Sequence, residues 1–418
     1  MKCQSACSAE KELSAETQRH PCYSFAGHKK YARMHIPVAP RCNLACNYCN
    51  RRFDCVNESR PGVTSEILTP QAALDKFSLV KKEIPNLSVV GIAGPGDSLA
   101  DWEKTRKSIE LIKARDEDTI ICLSTNGLLL PELAPELLAL GVKHVTVTVN
   151  SIDPKIGALI YRHVRYKDET LTGKEGAELL INNQLTGIKI LSAHGVLVKV
   201  NIVMIKGVND NHIQDVVKTV KELGASITNI MPLIPAPGSV FAHHEQTSNK
   251  DLEKMRQLCE TDLPQMRHCQ QCRADAIGLL HEDRSAEFSR SEPYPKKPDV
   301  SETYKIAVAS KYGKRVDLHF GHATEFHIYR CGPDGFTLLE KRGVEQYCLG
   351  VEECGEEEER REIIIQSLAD CDAVLTLRIG YHAQKRLLEQ GILPVENCDK
   401  VNNGLLFTMK ELAEKESA

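Results

Sequence analysis

Three cysteines, Cys42, Cys46 and Cys49, are separated by three and then by two residues. Thiolates at these spacings can bind three irons of a [4Fe-4S] cubane, which leaves the fourth iron without a protein ligand. The alternative is structural zinc, but zinc usually takes cysteines as separated pairs that a fourth ligand completes. The spacing therefore favours an iron-sulfur cluster with one open iron, and it constrains the fold around residues 41–50 more than any other sequence feature.

The stretch from Arg41 to Asn50 resembles the cluster-binding motif of the radical S-adenosylmethionine superfamily. Members commonly have an aromatic residue before the last cysteine, and Tyr48 occupies that place. The resemblance implies that the open iron binds the amino and carboxylate groups of S-adenosylmethionine. It also implies that the reduced cluster cleaves the sulfonium to give a 5′-deoxyadenosyl radical.

Length and charge limit the class of protein. The 418 residues are enough for two or three domains, and 53 basic against 57 acidic residues argue against nucleic acid as a partner. The sequence has no run of eighteen apolar residues and no signal-peptide core, so we expect a soluble, cytoplasmic protein without a membrane partner. In a reducing cytosol, sixteen cysteines indicate metal binding or catalysis rather than disulfides.

Short apolar runs alternate with amphipathic stretches between residues 35 and 233. They predict strands at His35–Ala39, Leu87–Ala93, Ile120–Ser124, Val142–Val149, Leu197–Ile205 and Asn229–Leu233, and helices at Pro70–Lys82, Trp102–Arg115, Pro131–Leu140, Gly176–Ala193 and Ile213–Leu223. Six βα units predict an α/β fold, a partial (βα)6 TIM barrel. Its active site should lie at the C-terminal ends of the strands, where we expect Cys42, Gly94, Cys122, Asn150 and Met231.

A polar stretch with three prolines, residues 284–303, predicts a linker. A second pattern follows, with strands expected at Tyr304–Ala309, Phe326–Arg330, Phe336–Lys341, Ala373–Leu377 and Ile392–Val395, and helices at Glu359–Ala369 and Ala383–Gln390. The predicted organisation is an N-terminal cluster-ligand segment (1–34), the barrel (35–283), the linker (284–303) and a small α/β domain (304–418).

The loop after the second strand contains Gly94, Pro95, Gly96 and Asp97. In the superfamily this position binds the methionyl amine, so the glycines would let the backbone approach and Asp97 would hold the ammonium. Other residues predicted to contact the cofactor follow or end strands: Ser124, Thr125, Asn126, Asn150, Ser151, Ile202 and Met231. A simple turn at the glycines, and helix capping by the short polar side chains, are the alternatives.

More cysteines surround this core than one cluster requires. Cys22, Cys55 and Cys122 are close to the first motif in sequence or lie on a neighbouring strand, Cys269 and Cys272 form a CxxC after the last barrel strand, and His28 and His35 accompany them. Ligands this dispersed do not saturate a cluster, and an under-ligated cluster is labile, as a cluster that serves as substrate must be. The alternatives are a core position for Cys122, a surface position for His28, and a zinc half-site or redox pair for the CxxC.

Several separated motifs resemble the NifB family of nitrogenase iron-molybdenum cofactor maturases over about residues 18–280: His20–Ser24, Ala32–His35, Cys42–Cys55, Gly94–Asp97 and Lys206–Asp210. One departure is His28-Lys29, where relatives often have two adjacent histidines. Lys305–Ala309 and His319–Ala323 resemble the NifX-type cofactor-binding domain, of ribonuclease H-like fold, in which His319 and His322 would be replaceable ligands.

The resemblance implies that two [4Fe-4S] clusters are fused, with insertion of a carbide derived from S-adenosylmethionine and addition of sulfur, to give an [8Fe-9S-C] precursor. Cys42, Cys46 and Cys49 would hold the radical cluster. The ligand pool for one substrate cluster would be Cys22, His28, Cys55 and Cys122, whereas Cys269 and Cys272 would hold the other. Glu58 is a candidate for transient ligation or proton handling, with an exposed loop carboxylate as the alternative.

The implied partners are iron-sulfur cluster donor proteins, a reductant such as ferredoxin or flavodoxin, and downstream nitrogenase cofactor carrier or scaffold proteins. Two other functions compete with this one. The first is a radical maturase whose auxiliary clusters serve an organic or peptide substrate. The second is a non-enzymatic iron-sulfur scaffold or carrier.

Overall fold

The computed structural model describes residues 14–24, 26–51, 54–55, 64, 66–236, 238–245, 247–269, 272–288, 303–333, 335–344, 357–377, 379–397 and 400–416. The chain forms two compact units, Met1–Ser285 and Ala286–Ala418. Within the described residues, none of the helices combines the length and the apolarity needed to cross a bilayer.

The first unit alternates strands and helices. Its strands are β1 (Ala32–His35), β2 (Leu44–Cys46), β3 (Leu87–Ile92), β4 (Ile120–Thr125), β5 (His144–Thr148), β6 (Tyr161–Tyr166), β7 (Glu169–Leu171), β8 (Leu197–Met204), β9 (Ile227–Pro232), β10 (Ile277–Leu279) and β11 (Glu282–Asp283). Its helices are α1 (Ala15–Gln18), α2 (Pro70–Glu83), α3 (Trp102–Arg115), α4 (Leu130–Ala139), α5 (Pro154–Ile160), α6 (Gly173–Ala193), α7 (Ile213–Glu222) and α8 (Asn249–Cys259).

Six strands of this unit form a parallel sheet in the order β1-β3-β4-β5-β8-β9, and antiparallel β10 and β11 extend it beyond β1. Every residue of β3 and β5 is buried, as expected for strands that helices and the barrel interior cover on both faces. The predicted α/β fold with six parallel strands is confirmed.

The segment after α8 crosses the open side of the partial barrel. It first runs beside β9, where the backbone N–H of Thr228 donates to Pro264 O and the backbone N–H of Met266 donates to Thr228 O. It then reaches β1, the parallel strand at the other side of the barrel, where the backbone N–H of His35 donates to Ala276 O. Cys269 and Cys272 therefore lie on the stretch between β9 and β1.

The N-terminal segment packs against the other end of the barrel, at the starts of the strands. The Tyr23 hydroxyl donates to Val145 O at 3.3 Å, near the start of β5. Thr17 Oγ1 lies 3.1 Å from His144 Nε2, and Ser88 Oγ donates to Arg19 O at 2.7 Å near the start of β3. These contacts close the barrel at the end opposite the loop that contains the three cysteines.

A small antiparallel sheet in the order β2-β6-β7 was not predicted. It joins the cysteine loop to a hairpin, since Ala45 on β2 pairs with His163 on β6. The three-residue β2 is too short to give a period-two signal, and the hairpin is largely polar, so the apolar pattern does not reveal either element.

The second unit contains β12 (Tyr304–Val308), β13 (Glu325–Gly332), β14 (Gly335–Gly343), β15 (Ala373–Thr376), β16 (Leu393–Glu396), α9 (Glu357–Ser367), α10 (Tyr381–Glu389) and α11 (Val401–Glu416). Its sheet has the order β14-β13-β12-β15-β16; β12, β15 and β16 are parallel, and β13 is antiparallel to both of its neighbours. Separate apolar clusters include Phe320 with Phe326, and Leu405 with Met409. The predicted small α/β domain is confirmed; α11 was not predicted.

Candidate functional site

The three cysteines of the first motif line one pocket. Cys42, Cys46 and Cys49 share it with Tyr48, Arg51, Cys55, Asp97 and Asn126. Each of the three thiols is half-buried. Burial raises the pKa of Cys42 to about 12, with a further increase from the Asp97 carboxylate, and burial also raises the pKa of Cys49. The pocket thus gathers three thiols at one protected place, as a cubane requires.

The Gly94–Asp97 loop fixes the beginning of the cysteine loop through its backbone. Gly96 N donates to Ala39 O at 2.7 Å, and Asp97 N donates to Arg41 O at 2.7 Å. The buried Asp101 carboxylate accepts from Arg41 N at 2.6 Å and from Arg41 Nε at 2.5 Å. The cysteine loop is therefore held at its base by hydrogen bonds from two directions.

We expect Gly96→Ala to lower cleavage of S-adenosylmethionine at least about tenfold, which corresponds to ~1.4 kcal/mol of lost transition-state stabilisation. A Cβ at position 96 would lie 2.1 Å from Arg41 O, so the base of the cysteine loop would have to move. The measurement is 5′-deoxyadenosine formed per bound iron under reducing, anaerobic conditions. Gly343→Ala is the matched control, because a Cβ there meets nothing within 4 Å, and equal rates in both variants would contradict the expectation.

The Asp97 carboxylate is buried and holds the ends of two strands together. Its Oδ1 accepts from Leu99 N at 3.0 Å and from Ala100 N at 3.1 Å, and its Oδ2 accepts from Asn126 N at 2.6 Å and from Thr125 Oγ1 at 3.0 Å. Burial raises its pKa, while these hydrogen bonds oppose the change. Four donors occupy most of its acceptor capacity. The predicted contact with an ammonium group stays a prediction.

The other predicted cofactor contacts also belong to internal networks. Asn150 Nδ2 donates to the buried Tyr48 hydroxyl at 2.7 Å, and Asn126 Nδ2 donates to Asn43 Oδ1 at 2.7 Å. Ser151 Oγ accepts from Asp153 N at 3.0 Å in the turn before α5. Ile202 is fully buried in β8. Ser124 and Met231 instead line a second cavity.

This second cavity lies inside the barrel. The four cysteines that line it are Cys22, Cys122, Cys269 and Cys272, and the cationic or imidazole side chains are His20, Arg33, His35 and Lys199. The cavity brings together Cys22 and Cys122, from the ligand pool predicted for one substrate cluster, with Cys269 and Cys272, the ligands predicted for the other. One expectation about position is wrong: Cys122 is the third residue of β4 and pairs with His144 at the start of β5, so it does not lie at the C-terminal end of its strand.

Buried cations accompany these thiols. Arg33 Nη2 donates to Cys272 Sγ at 3.3 Å, and Asn229 Nδ2 donates to Cys269 Sγ at 3.4 Å. Burial raises the pKa of Cys22 to about 11, whereas Lys199 and Arg33 act to lower it. No carboxylate is found among the described residues of the cavity wall. An anionic, thiolate-ligated cluster therefore matches the charge of this cavity better than a cationic ligand does.

Two histidines of the cavity received little weight from the sequence. His20 is buried, its Nδ1 accepts from Cys22 N at 3.1 Å, and in the described structure its Nε2 has no hydrogen-bond partner. His35 Nδ1 donates to Arg273 O at 2.9 Å, and burial, with Arg33 next, lowers the pKa of His35 to about 4. The sequence signals for His20 were its position two residues before Cys22 and its place in the His20–Ser24 motif that resembles the NifB family.

The remaining predicted ligands lie elsewhere. His28 stacks on His268 with ring centroids 5.1 Å apart and does not line the barrel cavity, and Cys55 lies in the pocket of the first motif. Glu58 falls outside the described residues. In the second unit His319 is half-buried, and the side chain of His322 is outside the described part. How the ligands divide between two substrate clusters stays a prediction.

The donor set suits a cluster better than a single ion. Among the described residues, no three His, Cys, Asp or Glu side chains converge on one metal position. The thiolates of a cubane bind separate irons and need no common centre. Three half-buried thiols share one pocket, and Gly96 lets its loop pack closely against the backbone carbonyl of Arg41 at the base of the cysteine loop. This arrangement fits a [4Fe-4S] cluster with an open iron.

Comparison with known proteins identifies both units. Residues 36–220 match the family model "Radical SAM superfamily", and residues 302–405 match "Dinitrogenase iron-molybdenum cofactor". The chain is 45% identical to the FeMo cofactor biosynthesis protein NifB of Klebsiella pneumoniae, over 90% of this chain and 86% of the relative. The chain belongs to the NifB family. The NifB of Frankia alni is 41% identical, over 94% of this chain and 88% of the relative.

Membership in the NifB family makes this chain a radical S-adenosylmethionine enzyme, and it implies one [4Fe-4S] cluster and S-adenosylmethionine. Among solved structures, SuiB of Streptococcus suis bound to S-adenosylmethionine aligns with a TM-score of 0.42 and 14% identity, over 56% of this chain and 50% of that chain. So distant an alignment adds nothing to the family match.

Proposed function

We propose that this chain fuses two [4Fe-4S] substrate clusters into an [8Fe-9S-C] precursor of the nitrogenase cofactor. The observation that supports the proposal best is the barrel cavity, in which four cysteines from distant parts of the chain meet beside Arg33 and Lys199. Two substrate clusters must be adjacent to be joined. A common cavity for Cys22, Cys122, Cys269 and Cys272 favours that adjacency.

Cys42, Cys46 and Cys49 would hold the radical cluster, and S-adenosylmethionine bound there would supply a methyl group and, from a second molecule, the 5′-deoxyadenosyl radical. The methyl carbon bonds to a sulfide of the substrate, and S-adenosylhomocysteine leaves. The radical would then remove one hydrogen atom from that methyl group as 5′-deoxyadenosine, and bases would accept the two remaining hydrogens as protons. The carbon–sulfur bond would break as the carbon binds iron, which returns the sulfide to the cluster, and the substrate irons with the external reductant would supply the electrons that carbide requires. An added sulfur completes the product.

The substrate ligands are proposed as the sequence predicts them. Cys22, His28, Cys55 and Cys122 form the pool for one cluster, and Cys269 with Cys272 holds the other. Glu58 is proposed for transient ligation or proton handling. Arg33 and Lys199 would offset the negative charge of the clusters, because both cations line the cavity wall.

The test uses the full chain, loaded anaerobically with iron and sulfide, reduced, and given S-adenosylmethionine with a radiolabelled methyl group. We expect the label to stay in an acid-stable metal cluster. Label found only in an organic or peptide product would support a maturase with auxiliary clusters. Bound iron without any cleavage of S-adenosylmethionine would support a scaffold or carrier, and either result would overturn the proposal. The Cys42→Ala chain is the background control.

The second unit is proposed as the carrier that holds the product before transfer to downstream carrier or scaffold proteins. His319 is half-buried, and its loop is tied to the sheet because Leu377 N donates to Leu318 O at 2.9 Å. A histidine is a replaceable ligand, which suits a carrier that must release its cargo. Iron-sulfur cluster donor proteins would supply the substrates.

We expect a chain truncated after Thr303 to synthesise the precursor and the isolated fragment 304–418 to bind it. The reason is that each unit has its own sheet and apolar core. Label incorporation measures synthesis, and anaerobic titration of the fragment measures binding. His319→Ala in the fragment should weaken binding relative to the unaltered fragment. Loss of synthesis on truncation, or no binding by the fragment, would contradict this role.

A further inference from the structure

An exposed surface surrounds the outer side of the cysteine loop. We define the hairpin surface as Leu159 at the end of α5, Arg162 and Arg165 on β6, and Val240 in the segment after β9. Leu159 is 57% exposed and Val240 is 63% exposed, so the surface presents two apolar side chains to solvent. Both arginines are also exposed.

The hairpin surface is bonded directly to the loop that contains the cluster cysteines. Asn47, between Cys46 and Cys49, donates its backbone N–H to Ile160 O at 2.8 Å and its side-chain Nδ2 to Leu159 O at 2.8 Å. The carbonyl of Asn47 accepts from Phe241 N at 2.9 Å. Short hydrogen-bonded paths therefore connect this surface to the backbone between two cluster ligands.

The same surface has positive charge close to the loop. Arg165 N donates to Asn43 O at 2.8 Å, which holds β6 against the cysteine loop. No ion pair of Arg162 or Arg165 exists within the described residues. Burial lowers the pKa of His163, and Arg165 and Arg162 lower it further, so both guanidinium groups act at this place. The acidic residues of the hairpin, Asp168 and Glu169, lie at its turn, away from the cysteines.

We propose that the hairpin surface is the docking site of a small acidic electron-carrier protein that reduces the radical cluster. An apolar centre with a cationic rim is typical of an interface for a partner with complementary charge. One electron leaves the reduced carrier and enters the cluster at Cys42, Cys46 and Cys49, and the oxidised carrier dissociates. A cluster donor fits this place less well, because the cavity proposed for substrate clusters is lined by other residues. The proposal needs only a reducible cluster and does not depend on cluster fusion.

The test compares reduction of the loaded full chain by flavodoxin hydroquinone and by dithionite in a stopped-flow spectrometer. The double variant Arg162→Glu/Arg165→Glu should lower the bimolecular rate with flavodoxin about tenfold at low salt, and the deficit should shrink at high salt. Leu159→Ser should lower the same rate at both salt concentrations, since it removes apolar contact rather than charge. Reduction by dithionite and iron content should match those of the unaltered chain.

Lys104→Glu/Lys189→Glu is the matched control, since both lysines are exposed on the outer helices α3 and α6 and the charge change is the same. In this control, flavodoxin should reduce the cluster at a rate within about twofold of that of the unaltered chain, because electrostatic steering acts mainly near the docking site. Equal decreases of the flavodoxin rate in both double variants would overturn the proposal. A decrease of the dithionite rate in Arg162→Glu/Arg165→Glu as large as that of its flavodoxin rate would also overturn it. Slower loading from a cluster donor, with unchanged reduction by flavodoxin, would assign the surface to delivery and also overturn it.

Discussion

Replacing Cys42, Cys46 or Cys49 with alanine is expected to abolish cleavage of S-adenosylmethionine. Two thiolates hold a cubane poorly, and a cluster that is lost or displaced cannot bind the cofactor at its open iron. The structure adds one refinement, because Cys55 lines the same pocket as the three cysteines. Each alanine variant should therefore be made with and without Cys55→Ala, so that ligation by Cys55 in place of the missing thiol is detected.

Formation of 5′-deoxyadenosine by the anaerobic, dithionite-reduced protein measures this effect. Cys259→Ala is the matched control, since Cys259 is buried at the end of α8 and lines neither cavity. We expect a fall to background, more than about a thousandfold, because cleavage without the cluster lacks its electron source. Cleavage that persists in a triad variant lacking Cys55 would disprove the assignment of the radical cluster.

The second large effect is expected from Cys269→Ala with Cys272→Ala, which should remove the fused product and lower total iron. Cleavage of S-adenosylmethionine should continue, because the pocket of the first motif contains neither residue. Iron per chain, 5′-deoxyadenosine and label in the acid-stable cluster measure the three quantities. Retention of both iron and product would show that the two thiols are structural.

A second double variant, Cys269→Ser with Cys272→Ser, distinguishes loss of a cluster ligand from loss of folding. Alanine at position 272 removes the acceptor of the buried Arg33 Nη2, and an unsatisfied buried donor costs about 1–3 kcal/mol. Serine keeps an acceptor for Arg33 and for Asn229, yet it is a much harder, weaker ligand for iron. The serine pair should therefore match the unaltered chain in thermal stability while losing product. Full product from the serine pair would contradict the ligand role even if the alanine pair failed to fold.

The barrel could be predicted from the sequence because its strands are buried on both faces and therefore appear as uninterrupted apolar runs. The predicted Val142–Val149 corresponds to His144–Thr148, and the predicted helix Trp102–Arg115 begins and ends as observed. The helix α11 was missed because Asn402, Asn403 and Gly404 weaken the helical signal. The structure gives the reason for that glycine: a Cβ at position 404 would lie 2.9 Å from Leu375 Cδ2.

The site was only partly predictable. Spacing within one loop identified Cys42, Cys46 and Cys49, because neighbouring residues must meet. The barrel cavity depends on contacts between distant residues, such as Tyr23 with Val145 and Arg33 with Cys272, which no local pattern encodes. The same limit explains why no role was predicted for Arg33, although its side chain is buried beside a thiol.

The N-terminal segment that covers the starts of the strands also supplies Cys22 and His20 to the cavity wall. The same segment therefore both closes this end of the barrel and contributes residues to the cavity wall. If Cys22 binds a substrate cluster, it does so from the same short segment whose Thr17 and Tyr23 contacts close this end of the barrel. Any change that moves this segment is therefore expected to disturb the cavity wall and the closure of the barrel at the same time.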